Sequence, residues 1–204
     1  MVERVARCPW STVNDPLYLK YHDEEWGVPV HDDRKIYEFL VLEAFQAGLS
    51  WRTVLYKREA FRTAFAGFDV KHVARFGSRE INQLLSNTKI IRNQQKILAA
   101  INNANRFLEV QQECSTFATY MWSWVSYRPL IHRFRALKDY PPYTEEAVVW
   151  AKDLKRRGFS FLGPTVIYAH MQAVGMVNDH TINCFRYRRL ADKTVRIMSS
   201  GIRS

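Results

Sequence analysis

The chain has 204 residues, 47% of them apolar and 14% aromatic, with 30 Lys and Arg against 20 Asp and Glu for a formal net charge of +10. That length and apolar content suit one folded domain, or two small lobes around a cleft, and exclude a disordered chain. The most apolar stretch, Phe159 to Val177, is interrupted by Gly163, Pro164, His170 and Gln172, so no membrane helix is expected, and the start of the chain lacks the apolar run of a secretory signal.

Helical periodicity dominates the pattern and strand-like alternation is almost absent, so the expected class is all-α. Asp32 or Asp33 caps a first helix that sets Ile36, Phe39, Leu40, Glu43 and Ala47 on one face and stops at Gly48. Ser50 caps a second from Trp51 to about Phe65, with Val54, Leu55, Phe61 and Phe65 inward. Short helices are expected at about 70–76 and 80–86, then a long one from about Arg92 to Glu109 with Leu98, Ala99, Ile101 and Ala104 toward the core. From Cys114 to Tyr143, with Trp122, Trp124 and three prolines, a short helix precedes a loop able to fold over a cleft. A helix from Glu145 to Arg157 ends at Gly158, Thr165 caps a buried helix to about Ala173, and a short helix after Asp179 carries His180 and Cys184.

The charge is unevenly placed: residues 1–51 are net −4, while 52–110 and 151–204 are each net +7. Basic segments of this kind attract phosphate backbones, although a charge serving only solubility has the same composition. Lys152, Lys155, Arg156 and Arg157 precede a turn, Phe159 to Gly163, and a following helix, so the pair at about 145–175 reads equally as a bundle corner or as a helix, a hairpin and a helix holding phosphate at a helix N-terminus. Cys8, Cys114 and Cys184 cannot all pair within one chain, which fits a reducing compartment. His180 and Cys184 stand at i and i+4, on one face if helical, and Cys8 with His22 would complete a four-ligand shell. Their long separation is not a zinc-finger spacing. His31, His72, His132 and His170 are assigned as ordinary core or surface imidazoles, and Cys114 as a buried small hydrophobe.

Glu43 is an acid on an apolar stripe. It is either the buried partner of an arginine or backbone donor, or a carboxylate reserved for a cationic or amino-bearing ligand. Trp51, Trp10, Tyr18 and Tyr21 are suitable walls for a flat ring.

The strings Cys8-Pro-Trp10, Asp15-Pro-Leu-Tyr18, Tyr21-His-Asp-Glu-Glu-Trp-Gly-Val-Pro29, Leu42-Glu43, Gln46-Ala-Gly-Leu-Ser-Trp51, Lys89-Ile-Ile-Arg92, Lys155-Arg-Arg-Gly-Phe159 and Val177-Asn-Asp-His180 resemble the 3-methyladenine DNA glycosylase I family. The likeness runs in order from about Arg7 to Tyr187, nearly the whole chain. It implies an all-α helix-hairpin-helix glycosylase fold with two helical lobes around a cleft, occupying 1–190 as one domain, with a basic tail at 191–204. It implies a structural zinc held by Cys8, His22, His180 and Cys184 that joins the two ends. It implies Glu43 as the catalytic carboxylate, Trp10, Tyr18, Tyr21 and Trp51 as the base pocket, Leu49 as the side chain filling the gap left by a flipped nucleotide, and DNA contacts at Gly163 and Thr165. The implied partner is alkylated double-stranded DNA and the implied state a monomer in the bacterial cytoplasm. The implied reaction is hydrolytic release of N3-methyladenine from duplex DNA after base flipping, leaving an abasic site.

Two departures from the wider superfamily stand out. The superfamily's Val-Asp-x-His reads Val177-Asn178-Asp179-His180 here, aligning Asn178 with the usual acid, and the hairpin reads Leu162-Gly-Pro-Thr165 in place of Leu-Pro-Gly-Val-Gly. No lysine stands at a nucleophile position, so no lyase activity is expected. Of the rival classes, a non-enzymatic zinc-stabilised DNA-binding protein leaves Glu43 unexplained, and a zinc hydrolase needs an open coordination position that four protein ligands deny.

Overall fold

The computed structural model describes residues 5–11 and 14–191, and the expected basic tail lies outside them apart from Ala191. Helices carry nearly all of the regular backbone, and the strands are two residues each. At the centre runs α2, Asp33–Gln46, whose residues from Ile36 to Phe45 are all buried. A helix apolar on every side has to be enclosed by others. Asp32 is its N-cap, accepting from Lys35 N at 2.8 Å. Asp33 serves a second helix, α8 (Phe117–Ser123), by accepting from Phe117 N and Ala118 N at 2.8 Å each.

Before α2 lie α1, Pro16–Lys20, capped by Asp15, and a single π-helical turn, Tyr21–Glu25. After α2, Gly48 takes φ +80°, which ends the helix and turns the chain. The expected single helix from Trp51 to Phe65 is two: α3, Trp51–Tyr56, capped by Ser50, and α4, Arg58–Ala64. The break at Lys57 turns Arg58 inward, where it donates to Glu38 at 2.7 Å and to Glu25 at 2.8 Å. An ion-pair network thus overrides a continuous amphipathic pattern. Glu38, not Glu43, is the acid on α2 that arginines neutralise.

The two short helices are α5, Val70–Val73, and α6, Ser78–Ser86. The long helix α7 runs from Gln94 to Cys114, capped by Asn93, so it begins later and ends later than expected. Leu98 does not face the core: it is 44% exposed, while Ile97, Ala100, Ala104 and Phe107 are buried. Cys114, at the end of α7, is only half-buried. Beyond α8 the chain forms β1, Leu130–Ile131, and a loop that reaches back over the interior.

The helices α9, Glu145–Arg156, and α10, Pro164–Ala173, pack on one another across the intervening turn. The N-cap of α10 is Gly163 with Pro164 at the first position, so Thr165 sits exposed in the first turn instead of capping it. Proline there is preset for a helix and lacks a donor that would otherwise be orphaned. After α10, Gly175 takes φ +72°, and a Cβ there would lie 2.4 Å from the backbone of Val28. Only glycine permits that approach. It delivers the chain into β2, Val177–Asn178, parallel to β1. His180 and Cys184 do not share a helix face as expected: they flank a turn, and the helix begins at residue 185 and is described to residue 191. The buried side chains make one continuous core. Among the described residues no helix is long and apolar enough to cross a membrane.

Candidate functional site

A cavity of about 180 Å³ opens beside the C-terminal half of α2, lined by Trp10, Tyr18, Tyr21, Glu43 and Trp51 together with residues from the far wall. This is room for one flat bicyclic ring, below the usual size of a drug-like pocket. All five residues expected for the catalytic and base-binding roles meet there. Tyr21 and Trp51 lie 5.1 Å apart with their planes at 43°, and Trp10 meets Tyr18 edge-on at 5.5 Å. Phe39 stacks on Trp51 at 6.5 Å and has the Arg58 guanidinium over its ring at 5.0 Å. The aromatic wall is therefore braced from the core.

Glu43 is 4% exposed and, among the described residues, its buried Oε2 has no hydrogen-bond partner, nor has Trp51 Nε1. Burial pushes the Glu43 carboxyl up to about 8. Burial, reinforced by Glu43, also raises the Tyr21 hydroxyl well above its ordinary value. An acceptor and a donor left unmatched in a flat aromatic slot are complementary to a heteroaromatic ring with polar edges.

Five further residues line it to which the sequence analysis assigns no role: Trp26, Gln46, Tyr140, Ala169 and Gln172. Gln46 stands three residues after Glu43 on α2, so helical spacing alone places it on the same face. Tyr140 and Gln172 arrive from the loop after β1 and from α10, and no local pattern reports that. Asp179 and Asn178 do not line the cavity. Asn178 donates to Tyr187 O at 3.0 Å and accepts from His180 N at 3.3 Å, while Asp179 is fully buried.

Behind the cavity Cys8, His22, His180 and Cys184 are all buried, and one donor atom from each lies within 4.8 Å of the others. Cys8 Sγ to His180 Nδ1 is 3.4 Å, Cys184 Sγ to His180 Nδ1 3.5 Å, and Cys184 Sγ to His22 Nε2 3.6 Å. A tetrahedral ion bonded at about 2.3 Å to sulfur and about 2.0 Å to nitrogen spaces such donors by roughly 3.5 Å, so the set fits zinc. The outer nitrogens are also oriented: His22 Nδ1 lies 2.7 Å from Asp23 Oδ1, and His180 Nε2 lies 3.0 Å from the carbonyl oxygen of Trp26. Burial lowers the His180 pKa, favouring the neutral ligand form. The π-helical turn sends consecutive side chains to two sites, Tyr21 to the cavity and His22 to the cluster. Trp26 and Trp10 stand between them, edge-on to His180 at 4.6 Å and to His22 at 5.1 Å.

On the outer surface, Leu49 is 43% exposed on the turn between Gln46 and Trp51, both of which line the cavity. Gly163 and Thr165 are exposed at the start of α10, beside a groove that also includes Lys152, Lys155 and Phe161. Arg156 and Arg157, expected as part of the same basic helix face, are instead paired with Asp153, and Arg157 also with Glu113.

The family model for methyladenine glycosylase matches residues 10–187. DNA-3-methyladenine glycosylase 1 of Escherichia coli (strain K12) is 43% identical over 183 residues, covering 90% of this chain and 97% of the relative. A crystal structure of 3-methyladenine DNA glycosylase I superposes with a TM-score of 0.85 at 47% identity, covering 88% of this chain and 98% of that one. A structure of a tyrosine-to-phenylalanine variant of 3-methyladenine DNA glycosylase I in complex with 3-methyladenine superposes with a TM-score of 0.83 at 33% identity, covering 86% and 94%.

Proposed function

The chain belongs to the methyladenine glycosylase family, and from that premise we propose that it hydrolyses the N-glycosidic bond of N3-methyladenine in alkylated duplex DNA. The observation that carries this reading is Glu43: a buried carboxylate with an unpartnered oxygen, in an aromatic slot sized for one purine, on a helix whose other buried acid is fully engaged by arginines.

In the duplex the methylated base carries a positive charge and pairs poorly, so extruding it costs less than extruding adenine. Once in the slot it stacks between Tyr18, Tyr21 and Trp51, whose faces attract an electron-poor ring, with Trp10 at the edge. Burial raises Glu43; a cation beside it acts in the opposite sense and restores the carboxylate. That carboxylate accepts from the exocyclic amine of the base. Guanine would present a carbonyl at the same edge, placing two acceptors face to face. The C1′–N9 bond then breaks with its electron pair going to the base, which leaves as neutral 3-methyladenine. Water adds to the sugar cation, its proton passes to solvent, and an abasic site remains. Because the leaving group departs neutral, strong general-acid assistance is not required. Among the described residues no lysine lines the slot, and we expect hydrolysis without lyase chemistry.

We further propose that Leu49 fills the space vacated by the flipped nucleotide and that Gly163 and Thr165, at the head of a helix-hairpin-helix unit formed by α9 and α10, contact the phosphates. A structural zinc on Cys8, His22, His180 and Cys184 supplies cross-linking and no open coordination position. The working unit is a monomer spanning residues 1–190 with a basic tail, in the bacterial cytoplasm.

The test is release of free base from duplex DNA alkylated at adenine N3, set beside N7-methylguanine and hypoxanthine substrates. Release of N3-methyladenine alone is expected, and Glu43→Gln should lower it by roughly a hundredfold or more with fold and metal content retained. Full activity in that variant removes Glu43 from the reaction, and comparable release of the other two bases overturns the narrow specificity.

A further inference from the structure

Asp179 is a fully buried carboxylate that the reaction above does not use. Its Oδ1 lies 2.5 Å from His132 Nδ1, and its Oδ2 accepts from the Tyr168 hydroxyl at 2.5 Å and from Gln172 Nε2 at 2.7 Å. Its backbone carbonyl accepts from the Tyr140 hydroxyl at 2.7 Å. With both oxygens engaged and no face on the cavity, it is not placed to activate water or to face a sugar cation. Two of its partners, Tyr140 and Gln172, nevertheless line the cavity, one from the loop after β1 and the other from α10.

The chemistry of this contact determines what Gln172 can offer. Gln172 donates through its side-chain NH₂ to Asp179 Oδ2, so that end of the amide is turned toward Asp179. Tyr168 and Gln172 are four residues apart on α10 and converge on the same oxygen, so the helix sets the side chain in place. The carbonyl end, Oε1, is then the end left to the cavity. A carbonyl dipole suits a positively charged methylated purine, whose C–H and N-methyl edges are electron-poor. It also avoids a second carboxylate beside Glu43, which would drive one of the two acids to protonate.

We propose that Gln172 is a specificity residue that presents its carbonyl oxygen to the cationic methylated base, and that Asp179 is the positioning residue that fixes its amide in that sense. The inference rests on the reading of the cavity as the N3-methyladenine pocket. A neutral carbonyl that favours the cation as soon as it enters acts on binding more than on the bond-breaking step.

The experiment is single-turnover excision from a duplex carrying one N3-methyladenine, together with equilibrium binding to the same duplex carrying the uncharged 3-deaza analogue. Gln172→Met keeps the volume and removes the amide. It should raise the half-saturating enzyme concentration about tenfold, lower the saturating rate less than threefold, and change binding of the uncharged analogue less than twofold. Asp179→Asn, whose amide can donate as well as accept, should give the same rise, and the double variant should be no worse than Gln172→Met alone. Unchanged half-saturation in Gln172→Met, an equal loss on the uncharged analogue, or effects that multiply toward a hundredfold in the double variant would each overturn the proposal.

Asp179 adjoins a metal ligand, so the tether is also measured in the unaltered protein. The Gln172 side-chain amide protons, assigned by their loss in Gln172→Met, should resonate downfield of free glutamine, and a free-glutamine shift contradicts the tether. A parent protein that neither binds nor excises the lesion refutes the pocket reading itself, an outcome distinct from all of these.

Discussion

Glu43 and Glu38 lie five residues apart on one buried helix and meet opposite fates. Glu38 accepts from Arg58 and Arg62 at 2.7 and 2.8 Å, whereas Glu43 faces aromatic rings and burial holds its carboxyl up at about 8. That difference is written into stability as well as binding. Below the unfolded pKa, near ~4.3, the group is protonated in both states and has no effect. Between there and about 8 the unfolded chain ionises while the folded one holds its proton, so a penalty against folding grows with pH, reaching on the order of 5 kcal/mol before it levels off. Glu43→Gln removes the titration. Its melting temperature should exceed that of the parent by several degrees at pH 8, and the two should converge at pH 5, as scanning calorimetry at both pH values would show. A difference independent of pH would mean that Glu43 is ionised in the empty pocket, paired with a charge that its surroundings do not display.

Among the elements, α2 ends in a way that matters for the site. Its last carbonyls lack intrahelical partners, and Lys96, on α7, supplies them: Nζ donates to Phe45 O at 3.0 Å and to Ala47 O at 2.5 Å. A cation at a helix C-terminus is favourable, and here it is 7% exposed, so it also pins the turn that carries Gly48 and Leu49. Lys96→Met should cost about 2 kcal/mol in urea unfolding, since two buried acceptors lose a charged donor, whereas an exposed lysine would cost a few tenths. It should also weaken excision from duplex DNA more than binding of free 3-methyladenine, because Leu49 is displaced while the slot is not. Equal losses in both would place the effect in the pocket. These caps show what local sequence conveys. Asp32 and Ser50 each precede an amphipathic run and each proves to be a cap, so those helix starts are legible, whereas the cap of α7, Asn93, falls inside the helix expected from about Arg92. The break at Lys57 is not, because its cause is a set of carboxylates on Glu25 and Glu38 that only the folded chain brings together. The cap of α10 lies two residues before the expected Thr165: Thr165 is the better side-chain cap, yet Gly163 followed by Pro164 sets the backbone. Glu43 is legible as an acid out of place on an apolar stripe, and Trp51 as an aromatic wall near it. Gln172 and Tyr140 are not, since their relevance depends on a loop and a helix meeting at Asp179.

Across the whole molecule, the Cys/His cluster closes the chain on itself. Cys8 and His180 are 172 positions apart and their donor atoms 3.4 Å apart, and the cluster joins the turn that carries Tyr21 to the segment that follows Gly175. An ion there would do the work that a disulfide does elsewhere, and without it the side chains of two cysteines and two histidines are left buried against each other. The freshly purified protein should therefore carry close to one zinc per chain by elemental analysis. Cys184→Ala should lose it and melt about 10 °C lower, the size expected when several kcal/mol are removed from a domain of this length. Because Trp10 and Trp26 are in contact with both the cluster and the cavity, metal loss should reach the base slot. At a temperature where Cys184→Ala remains folded by circular dichroism, its affinity for free 3-methyladenine should fall several-fold, whereas a variant of equal melting temperature made by shortening a core residue far from both sites should bind normally. Equal affinities in the two variants would confine zinc to global stability, and a metal-free parent protein would remove it from the fold altogether.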